Sequence, residues 1–306
     1  MAKPATFLPK RILVHLDTTS DRRPALTRAL HLAQHSGGSL RIVDVLAPLP
    51  RHTPNGPDLE RLLRSTMRGR LSEAADFARG KGVRATVALL EGEVAAMIVQ
   101  VALAWRADVV LRSHGVRHEK PGPIGPIDGQ LLRTCPCPVW FVTPRQADGE
   151  TIVVAAVDPD PADPHRHDLS VRVARTALAV SGATGATLHI VHAWMAYGPQ
   201  VLASHTTRAG LVEYVDACRV SARQRLDALI RDAQVPASAR THLVEGESDG
   251  VLTQFIDRRR TSLVVMGTVG RTGLAGLVVG NTAERLLRGV RCSVLALRPA
   301  PARMSR

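Results

Sequence analysis

Aromatic side chains, cysteines and long apolar runs are all scarce in this chain of 306 residues. Phe, Trp and Tyr together make up only 3% of it, so its core must be built from Val, Leu, Ile and Ala. No apolar run reaches the roughly 18 residues that span a bilayer. The first residues, MAKPATFLPKR, lack the apolar segment of a signal peptide. We therefore expect a cytoplasmic protein without a membrane span.

The four cysteines, Cys135, Cys137, Cys218 and Cys292, are too few and too scattered for a disulfide framework. Cys135-Pro-Cys137-Pro has the spacing of a short metal or redox motif. We interpret the two residues instead as small apolar side chains that lead into a buried strand at 139–142.

The chain is strongly basic, with a net charge of +13. Lysine occurs only at positions 3, 10, 81 and 120, so nearly all the positive charge belongs to arginines spread along the sequence. The single tight run, Arg258 to Arg260, has no nucleic-acid-binding motif around it. This pattern favours a general attraction for anionic ligands over specific nucleic-acid binding.

An internal repeat divides the chain into two halves. Four segments match in the same order: 11–17 with 151–158, 36–43 with 181–191, 91–93 with 245–247, and 131–139 with 286–294. The boundary falls near 146–149, after Pro144. The sequence therefore predicts two domains, residues 1–147 and residues 148–306.

Each half alternates short apolar strands with amphipathic helices. In the second half we predict strands near 152–157, 187–192, 241–244, 263–266 and 294–297, with helices near 169–180, 211–233, 249–256 and 282–288. This alternation is typical of a parallel sheet covered by helices on both faces. The predicted fold class is α/β: two tandem five-stranded, Rossmann-like parallel-sheet sandwiches related by a pseudo-twofold axis.

The last strand of each half, at 139–142 and 294–297, is predicted to be an apolar sheet edge. An open apolar edge seeks a partner strand. We expect the two strands to pair with each other, which makes the chain an intramolecular pseudo-dimer and leaves further homodimerisation open.

A glycine-rich segment follows the fourth predicted strand of the second half. Gly267, Gly270 and Gly280 are separated by two and nine residues, and Asn281-Thr282 then opens a helix. Glycine lets the backbone approach a ligand closely. The start of a helix presents free N–H groups and a positive dipole end to an anion. Together these features predict a phosphate cradle.

Asp158 ends the first strand of the second half. In open α/β sheets, ligands bind beyond the carboxyl ends of the strands, where the strand order reverses. We therefore expect Asp158 and Gly267 at one edge of the sheet. Asp158 is interpreted either as a ribose or adenine contact or as a turn-capping residue.

The pattern resembles the universal stress protein family in its tandem form, over about residues 9–145 and 150–299. The resemblance is carried by Val157-Asp158, His192-Ala193, GTVG at 267–270, Gly280-Asn281 and RCSVLALRP at 291–299. GTVGRTG followed by GNTAE is most similar to the second half of E-type members. The resemblance implies an adenine nucleotide alpha hydrolase-like fold and a cytoplasmic stress-response protein, often dimeric.

The resemblance also implies ATP as a ligand, with Mg²⁺ as an optional companion and little catalytic turnover. The nucleotide-binding residues that it implies are Val157, Asp158, Ala193, Gly267, Gly270, Gly280, Asn281, Thr282 and Ala283. Two of them depart from the family pattern: Asn281 replaces the usual Ser or Thr, and Ala283 stands where a hydroxyl residue is frequent. Asn281 and Glu284 also form a good helix-capping pair.

The first half departs further from the pattern. Its fourth strand exits through Arg112-Ser113-His114-Gly115, and Pro126 follows Gly125, which removes an N–H group that a phosphate would need. We expect this half to have lost the phosphate cradle. The alternative is a proline-stiffened loop that is locally basic through Arg112, Arg117, His118 and Lys120.

The segment His165-Arg166-His167-Asp168 follows Asp158. Its imidazoles and carboxylate have the chemistry of metal ligands. We favour another interpretation, in which Asp168 caps the next helix and the histidines are solvated. His192 is expected to be a packed core residue.

Three functions stay open at this point, and no catalytic residue is assigned. The first is an ATP-binding signalling or protective protein. The second is a nucleotide-independent scaffold for a small metabolite or a protein partner, which Asn281 and Pro126 favour. The third is a slow ATPase or nucleotidyl-transferring enzyme, for which Glu284 is the sole acidic residue of the glycine segment.

Overall fold

The computed structural model describes residues 7–16, 23–114, 125–143, 151–198, 205–268 and 281–299, without the side chains of 281 and 282. Within these residues the chain forms ten strands. They are β1 (Arg11–His15), β2 (Ser39–Leu46), β3 (Arg84–Glu91), β4 (Val109–Ser113), β5 (Val139–Val142), β6 (Ile152–Val157), β7 (Thr187–Trp194), β8 (Arg240–Glu245), β9 (Leu263–Gly267) and β10 (Ser293–Leu297).

Eight helices connect or follow these strands in the described residues. They are α1 (Pro24–Ser36), α2 (Gly56–Gly80), α3 (Val94–Ala104), α4 (Pro126–Thr134), α5 (Pro164–Thr184), α6 (Arg208–Ala233), α7 (Ser248–Arg258) and α8 (Asn281–Gly289). The predicted strands and helices of the second half are all present. Several are longer than predicted, because polar residues at their ends continue the regular backbone.

The ten strands form one sheet in the order β3-β2-β1-β4-β5-β10-β9-β6-β7-β8. Within each half all neighbouring strands are parallel. Strand order therefore reverses between β1 and β4 in the first half and between β6 and β9 in the second. The α/β fold class with two tandem parallel sheets is confirmed.

The two half-sheets join where β5 pairs antiparallel with β10. Phe141 lies opposite Val294, and Trp140 lies opposite Leu295. The backbone N–H of Thr143 also donates to Ser293 Oγ at 3.1 Å. The predicted pairing of the last strands is thus confirmed, and it removes both apolar edges from solvent.

Helices cover both faces of the sheet, and each face has its own apolar core. Alternate strand residues point to opposite faces, so Ile12 and Val14 join the core under α1 and α2 while Leu13 joins the core under α3 and α4. The second half repeats this layering with α5 and α6 on one face and α7 and α8 on the other.

Two glycines show that the sequence repeat is also a structural repeat. Gly92 and Gly246 follow β3 and β8 with φ of 136° and 131°, a region that favours glycine. Each donates its N–H to the end of the neighbouring strand, Gly92 to Leu46 O at 3.1 Å and Gly246 to Trp194 O at 2.8 Å. The matched Glu-Gly-Glu segments therefore make the same turn in both halves.

The predicted cap at Asp168 is wrong. Helix α5 begins earlier, at Pro164, and its N-cap is Asp163, which accepts hydrogen bonds from the N–H groups of His165 and Arg166 at 3.1 and 3.2 Å. Proline at the first helical position is compatible with this start because that N–H has no partner within the helix. Asp168 therefore lies inside the helix.

No helix within the described ranges is long and apolar enough to cross a bilayer. The cytoplasmic location stays a prediction. The division into residues 1–147 and 148–306 also stays a prediction, and residues 144–150, where it falls, lie outside the described residues.

The strand junction predicts a large difference between two chemically identical substitutions. Leu295 in β10 is 0% exposed, whereas Leu62 in α2 is 64% exposed. Leu295→Ala should lower the free energy of unfolding by about 2–5 kcal/mol because it leaves a cavity at the junction. Leu62→Ala should change it by about 0.5 kcal/mol or less. Urea unfolding of both variants is the measurement, and equal changes would contradict the packing described for β10.

Candidate functional site

The candidate site lies at the carboxyl edge of the second half, where strand order reverses between β6 and β9. Asp158 directly follows β6, Ala193 is near the end of β7, and Gly267 ends β9. The register pairs Val157 with His192 and Ala156 with Met266. The structure therefore brings Asp158, Ala193 and Gly267 to one edge of the sheet, as the sequence predicted.

Asp158 is a solvent-facing carboxylate held by an arginine. Arg166 on α5 donates from Nη2 to Asp158 Oδ2 at 2.7 Å and from Nη1 to Asp160 Oδ2 at 2.8 Å. The backbone N–H of Asp158 donates to Ser170 Oγ at 3.3 Å. The Asp158 side chain remains 41% exposed, so its carboxylate is oriented at the rim of the crevice. The N-cap of α5 is Asp163 and not Asp158; both interpretations of Asp158, as a ligand contact or as a residue of the turn, stay predictions.

Val157 and Ala193 lie next to Asp158 in the fold, and their side chains join the cores on opposite faces of the sheet. Both side chains are buried, at the ends of neighbouring strands. His192, also buried, donates from Nδ1 to Val157 O at 3.1 Å, since a carbonyl oxygen only accepts. His192 is thus a packed core residue, as expected, and it fixes the end of β6 against β7.

Gly267 has a packing requirement of its own. A Cβ placed on it would lie 2.8 Å from Leu169 Cδ2, far inside van der Waals contact. The next residue, Thr268, donates its N–H to Leu297 O at 2.8 Å and is buried. Glycine at 267 therefore allows α5 to pack closely over the end of β9, which is a reason distinct from ligand approach.

Helix α8 begins at Asn281, so the predicted helix start after the glycine segment is present. Ala283 is buried in the core. Gly270, Gly280 and the side chains of Asn281 and Thr282 lie outside the described residues. Glu284, the acidic residue of this segment, pairs with Arg133 of the first half at 3.2 Å and with Arg288 at 3.8 Å.

The described residues at this edge offer a carboxylate and main-chain N–H groups for hydrogen bonding. Asp158 supplies an oriented hydrogen-bond acceptor, and the start of α8 supplies main-chain N–H groups of the kind that bind phosphate. Among the described residues no group of three or more His, Cys, Asp or Glu side chains could hold a metal ion. His167 instead contacts Asp232, with Nε2 2.8 Å from Oδ2.

The equivalent edge of the first half is filled by a buried ionic network. Arg112 on β4 donates from Nε to Asp128 Oδ1 at 2.7 Å, and its Nη1 contacts His15 Nδ1. His114 donates from Nδ1 to Asp128 Oδ2 at 2.8 Å. His15 Nε2 lies 3.4 Å from Asp44 Oδ1 on β2. Since a guanidinium only donates, Nδ1 of His15 is the acceptor and Nε2 carries its proton.

The pKa of Asp128 reflects two opposing effects. Burial by itself would raise this pKa, but the hydrogen bond from His114 and the positive charge of Arg112 outweigh burial. The pKa of Asp128 is therefore lowered below its ordinary value. The carboxylate is charged at neutral pH and occupies the first turn of α4, the part of the helix that would otherwise favour a phosphate.

Small or uncharged residues replace every member of the network in the second half. Strand register and the repeat place them as follows: Ala156 for His15, His192 for Asp44, Met266 for Arg112, Thr268 for His114 and Ala283 for Asp128. The two edges therefore share one backbone arrangement, but the buried side chains at matching positions differ in charge. The first is closed by its own charges, and the second is lined by apolar and small side chains.

Sequence reasoning missed two parts of this arrangement. It treated Arg166 as one residue of a histidine-rich loop, whereas Arg166 lies in the first turn of α5, from which its side chain reaches Asp158. It noted Arg112 only as a residue of the strand exit that makes the loop locally basic, and His114 only as part of the same exit. The polar residues His15, Asp44 and Asp128 in otherwise apolar segments were the available signal, because buried polar and charged groups require partners.

The ionic network predicts a non-additive pattern of stability. Asp128→Ala and Arg112→Met each introduce the residue found at the equivalent position of the second half. Each single variant should lower the free energy of unfolding by about 3–5 kcal/mol, because the remaining charge is buried without its partner. The double variant should recover most of this loss. Urea unfolding gives the three values, and additive losses in the double variant would contradict the network.

The same pair predicts a pH dependence. The folded-state pKa of Asp128 is lowered, so its contribution to stability is fully present above the unfolded-state value of about 3.9 and is lost as pH falls through the folded-state pKa. The stability difference between the unsubstituted protein and Asp128→Ala should therefore narrow in acid below that value. A difference that stays constant from neutral to acid pH would show that Asp128 is not held as a charged group.

Comparison with known proteins identifies the family and the relatives that this chain resembles. The model of the universal stress protein family matches residues 9–143 and 149–298. Universal stress protein E of Photorhabdus laumondii is 26% identical over 309 aligned residues, with 95% of each chain covered. Universal stress protein E of Escherichia coli K12 is 27% identical over 305 residues, covering 95% of this chain and 94% of its own.

Solved structures agree with the fold. A functionally unknown protein from Pseudomonas aeruginosa PAO1 superposes with a TM-score of 0.73 at 22% identity, covering 97% of this chain and 95% of its own. A universal stress protein from Archaeoglobus fulgidus superposes with a TM-score of 0.68 at 16% identity, covering 95% and 99%. Two family matches, a ten-stranded sheet and relatives of the same length lead to one conclusion: the chain is a tandem member of the universal stress protein family of stress-response proteins.

Proposed function

We propose that the second half binds ATP or a related adenine nucleotide at the carboxyl edge of β6, β7 and β9, and that the protein acts through binding rather than turnover. The observation that best supports this proposal is the contrast between the carboxyl edges of the two halves. Among the described residues, the Arg112–Asp128 pair of the first edge is buried, whereas the ion pairs of Arg166 with Asp158 and Asp160 at the second edge are partly exposed at its rim. A ligand there does not have to displace a buried ion pair.

Asp158 is proposed as the residue that recognises the nucleoside. Its carboxylate is exposed at the rim, and Arg166 binds Oδ2. A fixed carboxylate next to a strand end is suited to accept hydrogen bonds from ribose hydroxyls or the adenine amino group. Arg166 acts as a positioning residue, because it ties Asp158 and Asp160 to α5.

The phosphates are proposed to lie against the glycine segment and the start of α8. Gly267, Gly270 and Gly280 with Asn281, Thr282 and Ala283 would surround them with main-chain N–H groups. Unlike Pro126 at the start of α4, Asn281 has an N–H to donate. Mg²⁺, when present, would be carried mainly by the phosphates, as is usual for this ion.

Binding of ATP to three proteins tests this proposal by isothermal titration calorimetry. The unsubstituted chain should bind one nucleotide. Asp158→Ala should weaken the affinity about tenfold or more, because a hydrogen bond to a charged group contributes roughly 1.5–3 kcal/mol. Asp17→Ala, the matched change in the first half, should leave the affinity unaltered.

Other outcomes favour different functions. An affinity that survives Asp158→Ala, or one that falls equally with Asp17→Ala, would contradict the assigned site. No binding at millimolar ATP would favour the nucleotide-independent scaffold. Release of phosphate that a Gly280 substitution abolishes would establish the slow ATPase instead.

A further inference from the structure

Cys135 and Cys137 form a thiol pair that the nucleotide site does not use. Their sulfur atoms are 3.8 Å apart, and both side chains are buried, with exposures of 0% and 9%. They occupy the short turn between α4 and β5. Pro136 between them restricts the backbone, so the two sulfur atoms are held in contact by the chain itself.

The surroundings of the two sulfur atoms differ. The thiol and the backbone N–H of Cys137 both donate toward Cys135, and the charge of Arg298 adds to them; together these lower the pKa of Cys135 in spite of burial. The pKa of Cys137 is raised, because it donates its own proton to Cys135 and is buried. One sulfur atom is thus suited to be a nucleophile and its neighbour to be the resolving thiol.

The pair also lies at the junction of the two halves. Arg298, which follows β10, donates from Nη1 to the carbonyl oxygen of Cys135 at 2.9 Å. Because β10 is antiparallel to β5, this end of β10 belongs to the same sheet edge as the second-half crevice. The thiol pair is therefore connected to the carboxyl edge of the second half, and not to the ionic edge of the first.

We propose that Cys135 and Cys137 are a site of reversible oxidation, at which a hydroperoxide converts the two thiols into an intramolecular disulfide. The Cys135 thiol loses its proton and the thiolate attacks a peroxide oxygen; the O–O bond breaks, a sulfenic acid forms on Cys135, and the departing hydroxide or alkoxide takes up that proton to leave as water or an alcohol. The Cys137 sulfur then attacks that sulfur atom and expels hydroxide, which leaves as water with the Cys137 proton. Both thiols are oxidised and the peroxide is reduced.

The chain contains its own control for this reaction. Cys292 occupies the second-half position equivalent to Cys137, and Val290 stands where the first half has Cys135. Burial raises the pKa of Cys292 to about 12. Cys292 is thus a buried thiol at the same point of the fold, without a second cysteine two residues before it. We therefore expect Cys292 to resist the oxidation that Cys135 and Cys137 undergo.

The test exposes the folded, full-length protein to hydrogen peroxide, blocks remaining thiols after unfolding, and analyses tryptic peptides by mass spectrometry. Residues 134–145 form one tryptic peptide that carries both cysteines. The mass of this peptide should fall by that of two hydrogen atoms. The disulfide should form about tenfold or more faster than Cys292 is modified, since each pKa unit changes the thiolate fraction about tenfold. Dithiothreitol should reverse the change.

Two variants separate the roles of the sulfur atoms. In Cys137→Ser, Cys135 should accumulate as a sulfenic acid that dimedone traps, and no disulfide should form. In Cys135→Ser, Cys137 should react no faster than Cys292. The proposal is overturned if the peptide 134–145 keeps both thiols while Cys292 is oxidised, or if the pair and Cys292 react at equal rates. Both of these outcomes are measured on the unsubstituted protein, so the test remains valid when a variant fails to fold.

Discussion

The antiparallel pairing of β5 with β10 is the contact on which the organisation of the molecule depends. All strands within a half are parallel, so their carboxyl ends share one edge. The single antiparallel junction reverses the direction of the second half. The carboxyl edges of the two halves therefore lie at opposite edges of one continuous sheet. Substitutions at one edge need not disturb the side chains at the other. A duplicated fold thus carries two sites that are free to diverge.

The divergence is electrostatic. The first edge holds Arg112 and Asp128 as buried opposite charges, with His15 and His114 completing their hydrogen bonds. Such a network is costly to desolvate and costly to break, and its buried carboxylate would repel a phosphate placed beside it. The second edge has Met266 and Ala283 at the matching positions, and its charged group, Asp158, lies at the rim. The first edge is therefore held together by buried charges, and the second, without them, is the edge at which we propose that a ligand binds.

The strand and helix pattern could be predicted from the sequence because buried parallel strands are continuous apolar runs and the repeat supplied each element twice. The pairing of β5 with β10 followed from two apolar edges that needed partners. Helix α5 begins earlier than predicted. Residues 163–168 contain two aspartates that could cap a helix, and only the folded backbone shows that Asp163 is the N-cap. Asp158 and Gly267 were predicted to lie at one edge of the sheet, and they do. The contacts of Arg166 and the Arg112–Asp128 pair could not be derived, since they depend on which side chains the folded helices bring over the strand ends.

Gly267 shows why a family motif has to be tested against packing. Its missing side chain makes room for Leu169, so the glycine has a structural role whether or not a nucleotide binds. The proposed ligand site therefore depends on Asp158, on the start of α8 and on Met266 and Ala283 in place of the buried Arg112–Asp128 pair, rather than on the glycine spacing alone.

A structure determined from crystals grown with ATP and Mg²⁺ tests the central claim most directly. The account predicts one nucleotide per chain, in contact with Asp158 and Ala193, and an unchanged Arg112–Asp128 pair in the first half. A nucleotide bound in the first half, or a second half that remains without one when ATP is present at millimolar concentration, would contradict it.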